Sequence, residues 1–209
     1  MTDRKIARQR LLAESKRQLI LDAAREIFAV EGLENASLRS IASKAGYTPA
    51  ALYFHFPSKE AIYAELLRTS LHSLGESVEK AVQKATSASE RFNEAAMAFF
   101  RYYAKHPSEL DLGFYLFRGG MKPKGLDKAT DQELNGGLEA SLKPLANAAR
   151  EMGATASDAD ITMVNIFAHA TGLLLLLHTG RIRMFGASAE SLMQEYAWQQ
   201  ISILEGNEK

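Results

Sequence analysis

The stretch GYTPAALYFHFPSK, residues 46–59, decides how this chain folds, because Tyr53, Phe54, His55 and Phe56 occupy consecutive positions just after a proline. Thr48 is a helix N-cap residue and Pro49 suits the first helical position, where its missing N–H is not needed and its fixed φ fits the turn. Pro57 ends the segment, so the pattern predicts a very short helix. Neighbours on a helix point about 100° apart, so four adjacent large side chains cannot all face one core. If Leu52 and Phe56 pack inward, then Thr48, Pro49, Ala50, Ala51, Tyr53, Phe54 and His55 lie on or beside the outer surface.

Working outward, Ser37 caps a short helix predicted over Leu38 to Lys44, with Leu38, Ile41, Ala42 and Ala45 inward, and Gly46 breaks it. Before it, Leu19/Ile20, Ala23/Ala24 and Ile27/Phe28 recur every four residues from Arg17 to Glu31, and Gly32 stops that helix. Two short helices joined by a glycine-containing turn describe a helix-turn-helix, whose second helix lies in the major groove of DNA. Leu52 then locks this helix against Ile27 and Phe28.

The exposed residues suit a duplex. Ala50 and Ala51 let a helix backbone approach a groove floor, while the Tyr53 hydroxyl and a His55 N–H reach phosphate oxygens. Phe54 meets a thymine methyl or a sugar. Ser37 and Arg39 on the preceding helix join the candidate DNA contacts, as does Lys59, in the first turn of the next helix beside N–H groups suited to an anion. The structural alternative for any one ring is core packing.

The run from Ser37 to Glu60, SLRSIASKAGYTPAALYFHFPSKE, closely resembles the DNA-binding domain of the TetR family of transcriptional regulators, over about Arg17 to Leu67. It departs from the family pattern at Tyr47 and at Pro49-Ala50. The resemblance implies a homodimer that binds a roughly palindromic operator and is released, as a repressor would be, when a small molecule occupies the larger C-terminal domain.

The rest of the chain reads as helix, with no strand alternation and no internal repeat, so the expected fold is all-α with about nine helices. Expected units are an arm and reading head over 1–57, a connecting helix over 58–85 and an effector-binding and dimerisation domain over 86–209. Ser58 caps the connecting helix, which Ile62, Leu66, Leu67, Leu71 and Leu74 carry to about Gly75 or beyond. Later helices are marked by Phe92 to Tyr103, by Leu110 to Phe117 ending at Gly119-Gly120, and by Leu134 to Met152, kinked at Pro144. The last two run from Asp158 to about Arg181 and from Ala187 to about Leu204.

Phe99, Tyr102, Tyr103, Phe114, Phe117, Met121, Leu138, Leu142, Met163 and Phe167 make this domain rich in the side chains that line pockets, and each reads equally as ordinary core. Asn165 and His169, one turn apart on a nearly apolar helix, are the polar ligand candidates, with a satisfied core histidine as the bland account of His169. The helix around Leu173 to Leu177 is apolar on nearly every side. Pairing Leu173, Leu174 and Leu177, and Leu192, Met193, Tyr196, Ala197 and Ile201 of the last helix, with a second copy gives a four-helix bundle.

Composition narrows the classes. The 209 residues contain no cysteine, so thiolate metal sites, thiol nucleophiles and disulfides are excluded, which fits the cytoplasm. Net charge is zero, from 25 basic and 25 acidic residues, yet Arg4, Lys5, Arg8, Arg10, Lys16 and Arg17 face only Asp3 and Glu14 at the N-terminus. That basic end serves DNA contact or solubility. The apolar run Ile161 to Gly180 is interrupted by Asn165, His169, Thr171 and His178, which predicts a buried helix of a soluble protein and no membrane span.

No catalytic motif is present: there is no G-x-S-x-G elbow, no H-E-x-x-H and no Glu-x-x-His pair, and Gly120 to Gly125 lacks the Lys-Ser/Thr of a phosphate loop. No cofactor or metal is expected. A helical small-molecule-binding or adaptor protein without DNA binding is the competing class.

Overall fold

A computed structural model describes residues 3–114 and 126–206. Among these, the elements are α1 (Asp3–Asn35), α2 (Leu38–Lys44), α3 (Pro49–Tyr53), α4 (Lys59–Val82), α5 (Ala88–Lys105), α6 (Pro107–Phe114), α7 (Lys128–Glu151), α8 (Ala156–His178), a 3₁₀ turn (Arg181–Phe185) and α9 (Ala189–Gly206), with no strand. The fold is all-α.

Local chemistry sets the boundaries. The side chains of Ser37, Thr48, Ser58, Ser87, Asp127 and Thr155 each accept a hydrogen bond from a backbone N–H in the first turn of the helix that follows. At Ser37 the cap is reciprocal, since Ser40 Oγ accepts from the Ser37 N–H at 3.2 Å. The turn between α2 and α3 passes through Gly46 at φ 74°, a left-handed conformation that a side chain would strain.

One helix runs past its expected start. α1 begins at Asp3, not Arg17, because the arm is composed almost entirely of strong helix formers, and residues 5–16 stay exposed along it. α4 continues through Gly75 to Val82. α7 carries Pro144 without ending there, and α6 is described only to Phe114, so the expected end at Gly119-Gly120 lies outside the described residues.

The reading head packs around Ile20, Ala24, Phe28, Ile41, Ala42, Leu52 and Phe56, each at most 6% exposed. Its core continues into the larger domain along α4: Tyr63 meets Phe28 edge-on at 6.3 Å, and its hydroxyl donates to the Leu112 carbonyl of α6. Arg25 of α1 and Glu109 of α6 pair across the same junction at 3.4 Å. Within the larger domain α5 is central, buried through Phe92, Ala95, Ala96, Phe99, Phe100 and Tyr103, and α4, α7, α8 and α9 pack around it.

The expectation that α8 is buried holds on one side only. The helix is long and apolar enough to cross a membrane, with mean hydropathy 1.6, yet only 28% of that stretch is buried. α5, α7 and α9 cover Ala159, Thr162, Ile166, Ala170, Leu173 and Leu174, and leave Ile161, Val164, Ala168 and Gly172 facing outward.

Candidate functional site

α3 is a five-residue helix held from behind. Leu52 is fully buried beneath it, and Phe56, just past its end, is 2% exposed. Burying a leucine of this kind contributes roughly 1.5–3 kcal/mol, enough to hold one turn of helix that would not form alone. The opposite face is bare: Tyr53 is 57% and Phe54 90% exposed. Thr48, Pro49 and Ala50 are exposed beside them, and Ala51 and His55 half-buried. Thr48 Oγ1 is occupied as the cap, accepting from the Ala51 N–H at 3.2 Å. Ser37 and Arg39 are exposed on the neighbouring α2.

Arg17 fixes the far end of α3. Its Nη1 donates to the His55 carbonyl at 3.3 Å, its guanidinium stands 4.2 Å over the Phe56 ring, and its Nη2 lies 3.1 Å from Glu65 on α4. In the sequence Arg17 stands out only as part of a basic end. Tertiary placement makes it a clamp between α1, α3 and α4, and no spacing rule links residues 38 positions apart.

Lys59 requires a correction. It is not turned toward the α3 surface. Its Nζ donates to the carbonyls of Leu33, Glu34 and Ala36 at 2.7, 2.8 and 3.0 Å. α1 breaks at Gly32, with φ 76° and ψ 164°, and the carbonyls around that break have no following turn to pair with. An ammonium with three N–H groups satisfies all three, so nothing remains of it for a phosphate.

In the larger domain the proposed pocket side chains fall into different environments. Phe99 and Tyr103 are fully buried and pack edge-on at 5.2 Å. Phe99 meets Phe167 at 5.9 Å, and Tyr102 meets Tyr103 at 5.3 Å. Burial raises the Tyr103 hydroxyl well above the ordinary tyrosine range and raises Tyr102 less. Leu142 is buried, and Leu138 and Met163 are half-buried against the same core. Asn165 is exposed on the outer face of α8, about 100° around the helix from the buried Ile166. Phe117 and Met121 lie outside the described residues, as does the side chain of Phe114.

His169 stacks on Tyr196 of α9, centroids 3.9 Å apart and 14° from parallel. Burial lowers its pKa from the ordinary histidine value, partly opposed by a hydrogen bond with the Leu192 backbone. Its Nε2 is buried without a hydrogen-bond partner.

The interface residues expected on α8 and α9 also need correction. Leu173, Leu174, Met193, Ala197 and Ile201 are all 6% exposed or less, sealed inside one chain, and Leu177, Leu192 and Tyr196 are half-buried. Apolar spacing marks a face that is covered, and does not say whether the chain itself or a second copy covers it. The outward apolar residues are instead Ile161 and Val164 on α8 and Trp198 and Ile203 on α9, each 46–56% exposed.

A cavity of about 490 Å³ lies between α4 and α7, lined among others by Arg68, Leu71, Gly75, Glu133 and Leu134. Arg68 grips Glu133 in a two-pronged bond, Nε to Oε1 at 2.7 Å and Nη2 to Oε2 at 2.9 Å, which raises the guanidinium pKa and lowers the carboxyl pKa. Among the described residues no group of His, Asp or Glu is arranged to hold a metal.

Residues 20–66 match the family described as bacterial regulatory proteins, tetR family. The chain is 33% identical over 100 residues to the transcriptional activator FasR of Mycolicibacterium smegmatis, spanning 48% of this chain and 45% of that protein. It is 37% identical over 86 residues to the transcriptional repressor KstR2 of the same species, spanning 41% and 42%. The chain thus matches less than half the length of these curated relatives. Over 88% of this chain and 97% of that one, the fold is similar to that of the regulator FadR of Bacillus subtilis, solved in complex with stearoyl-CoA, at TM-score 0.68 and 20% identity.

Proposed function

This chain is a member of the TetR family of bacterial regulatory proteins, and from that premise we propose that it is a ligand-responsive repressor that binds a palindromic DNA operator as a homodimer in the cytoplasm. The observation that carries the reading is the bare face of α3. Phe54 is 90% exposed and Tyr53 57%, on a helix whose reverse side is fully buried. Exposing two rings to water has no folding advantage, whereas a major groove covers them.

Backbone contacts come from Tyr53, His55, Ser37 and Arg39, and the small Ala50 and Ala51 allow close approach. The helical arm of α1 adds Lys5, Arg8, Arg10 and Lys16, all exposed, as counter-charges to phosphate.

Dimerisation uses the outward faces of α8 and α9. Ile161 and Val164 line one, Trp198 and Ile203 the other, and Ala168 with Gly172 allows a partner helix to come close. A small hydrophobic effector binds in the larger domain; the similar fold of FadR was solved in complex with stearoyl-CoA. Phe99, Tyr102, Tyr103, Leu138, Leu142, Met163, Phe167 and His169 remain the proposed wall.

α4 joins the head to that domain, so an effector favouring another tilt of α4 alters the spacing of two recognition helices and misaligns them with successive grooves. Coupling of about 1–3 kcal/mol is typical. Selection of bound fragments from the source genome tests the reading. A palindromic consensus supports it, and a folded chain that selects nothing even at low salt favours the small-molecule-binding or adaptor class. Operator DNA must also weaken effector binding by the factor with which effector weakens DNA binding.

A further inference from the structure

The polar inventory of the α3 surface limits how it can read a base sequence. From Thr48 to Phe56 the chain carries no Arg, Lys, Asn, Gln, Asp or Glu. Those are the side chains whose hydrogen-bonding groups single out guanine, adenine or cytosine on the major-groove edge. What α3 offers is apolar. Pro49 and Tyr53 stand one turn apart, as do Ala50 and Phe54, so the four share the arc away from the buried Leu52 and Phe56, and all four are exposed. Phe54 lies just past the last turn but keeps helical backbone angles, φ −67° and ψ −23°, so its ring continues that arc.

The polar groups nearby are engaged elsewhere. The Thr48 oxygen accepts from the Ala51 N–H at 3.2 Å, which leaves a single hydroxyl hydrogen, and a lone hydroxyl discriminates little among bases. Lys44, at the end of α2, lies 2.6 Å from Glu26 of α1. Ser37 caps α2 and Arg39 lies in it, and the first helix of such a pair crosses the sugar-phosphate backbone. Tyr53 and the half-buried His55 reach phosphates in the same pose. The Phe54 ring, the Ala50 methyl and the Thr48 methyl are left to meet the base edges.

One feature of the groove complements that set. The C5-methyl group of thymine projects into the major groove, where alanine, phenylalanine and the threonine methyl match it. 5-Methylcytosine carries the same methyl at the same ring position, so a surface that makes no hydrogen bond to the base accepts either. We infer that α3 selects its half-site through pyrimidine C5-methyl groups packed against Phe54, with the small Ala50 allowing the approach, and that 5-methylcytosine substitutes for thymine there. Cytosine methylation at such a position strengthens binding, which makes the methylation state of the operator a second input beside the effector. The inference rests on the DNA-binding reading of α3.

Fluorescence anisotropy with the full chain and a genome-selected duplex tests it. Each thymine is replaced in turn by uracil, symmetrically in both half-sites, which removes one methyl from each. Burying one methyl is worth about fourfold in affinity, so the symmetric replacement at a contacted position should weaken binding about fifteenfold. At that position T·A, U·A, 5-methylcytosine·G and C·G duplexes are then compared. The methylated member of each pair should bind tighter than its unmethylated counterpart by the same factor. Recognition through hydrogen bonds gives another pattern, with T·A equal to U·A and 5-methylcytosine·G equal to C·G.

Phe54→Ala separates a methyl contact from general packing. The ring is 90% exposed, so the variant should keep the parent's Tm, while both methyl ratios fall to less than about twofold. An equal loss of affinity for all the duplexes refutes the assignment to Phe54. If no uracil replacement weakens binding by more than about twofold, or if 5-methylcytosine and cytosine bind equally, the inference is overturned. The regulator reading survives that result as long as the selected duplex is preferred over random DNA. A folded chain that selects no duplex even at low salt overturns both.

Discussion

Replacing Lys59 by methionine keeps the length of the stem and removes only the ammonium, so it isolates what the hydrogen bonds to three carbonyls contribute. They differ in value. Ala36 is 3% exposed, so its carbonyl cannot be rehydrated, while Leu33 is half-buried and Glu34 lies in the open. A hydrogen bond to a charged group contributes about 1.5–3 kcal/mol net, and a buried orphaned carbonyl costs a similar amount. With the Ala36 carbonyl left unpaired, the Leu33 carbonyl partly hydrated and the Glu34 carbonyl taken over by water, the total cost is about 2–4 kcal/mol. For a chain of this size each kcal/mol moves Tm by about 2–4 °C, so the midpoint should fall by roughly 5–15 °C. Thermal unfolding by circular dichroism reads the drop, and Lys59→Arg should recover part of it. A phosphate-contacting lysine behaves differently: its removal lowers the salt slope of DNA binding by about one unit and barely changes stability. A Lys59→Met protein with the parent Tm and a reduced salt slope would refute the assignment of Lys59 to the end of α1.

Phe54→Ala should change stability by less than about 0.5 kcal/mol, since the ring is 90% exposed, while weakening binding to a selected DNA fragment by about tenfold in fluorescence anisotropy. Val164→Asp places a charge on the outward face of α8 and should convert a dimer to a monomer in sedimentation velocity; an unchanged dimer moves the interface elsewhere. His169 has a lowered folded-state pKa, so the unfolded chain takes up a proton first as pH falls through about 6.5. The stability its neutral form contributes is complete above that value and declines below it until the folded pKa is reached. The urea midpoint should therefore drop more between pH 7.5 and 5.5 in the parent than in His169→Gln; parallel declines exclude His169 as the cause.

The reading head was legible because its signals are local. Thr48, Pro49 and Gly46 act within a turn of where they stand, and the crowding at Tyr53 to Phe56 forces a ring outward by helical geometry alone. Lys59 was misread because the carbonyls it caps lie 23 to 26 residues earlier, around a break at Gly32 read only as a stop. Met193, Ala197 and Ile201 of α9 lie on the face that the apolar spacing marks, but α5 and α8 of the same chain cover it, and periodicity does not tell cover from within the chain from cover by a second copy. The α4/α7 cavity was hidden altogether. Glu65 and Arg68 are neighbours by helical spacing, but Glu133 joins them from 65 residues away.

The central claim is that the face of α3 around Tyr53 and Phe54 is left open for a DNA duplex. Equilibrium competition between a genome-selected fragment and random DNA at physiological salt, with the parent and with Tyr53→Ala, tests it most directly. The parent should prefer the selected fragment by about 10³-fold or more, and the variant should bind both more weakly while remaining folded. A folded parent with less than about tenfold preference, or a Tyr53→Ala protein that binds as tightly as the parent, contradicts it.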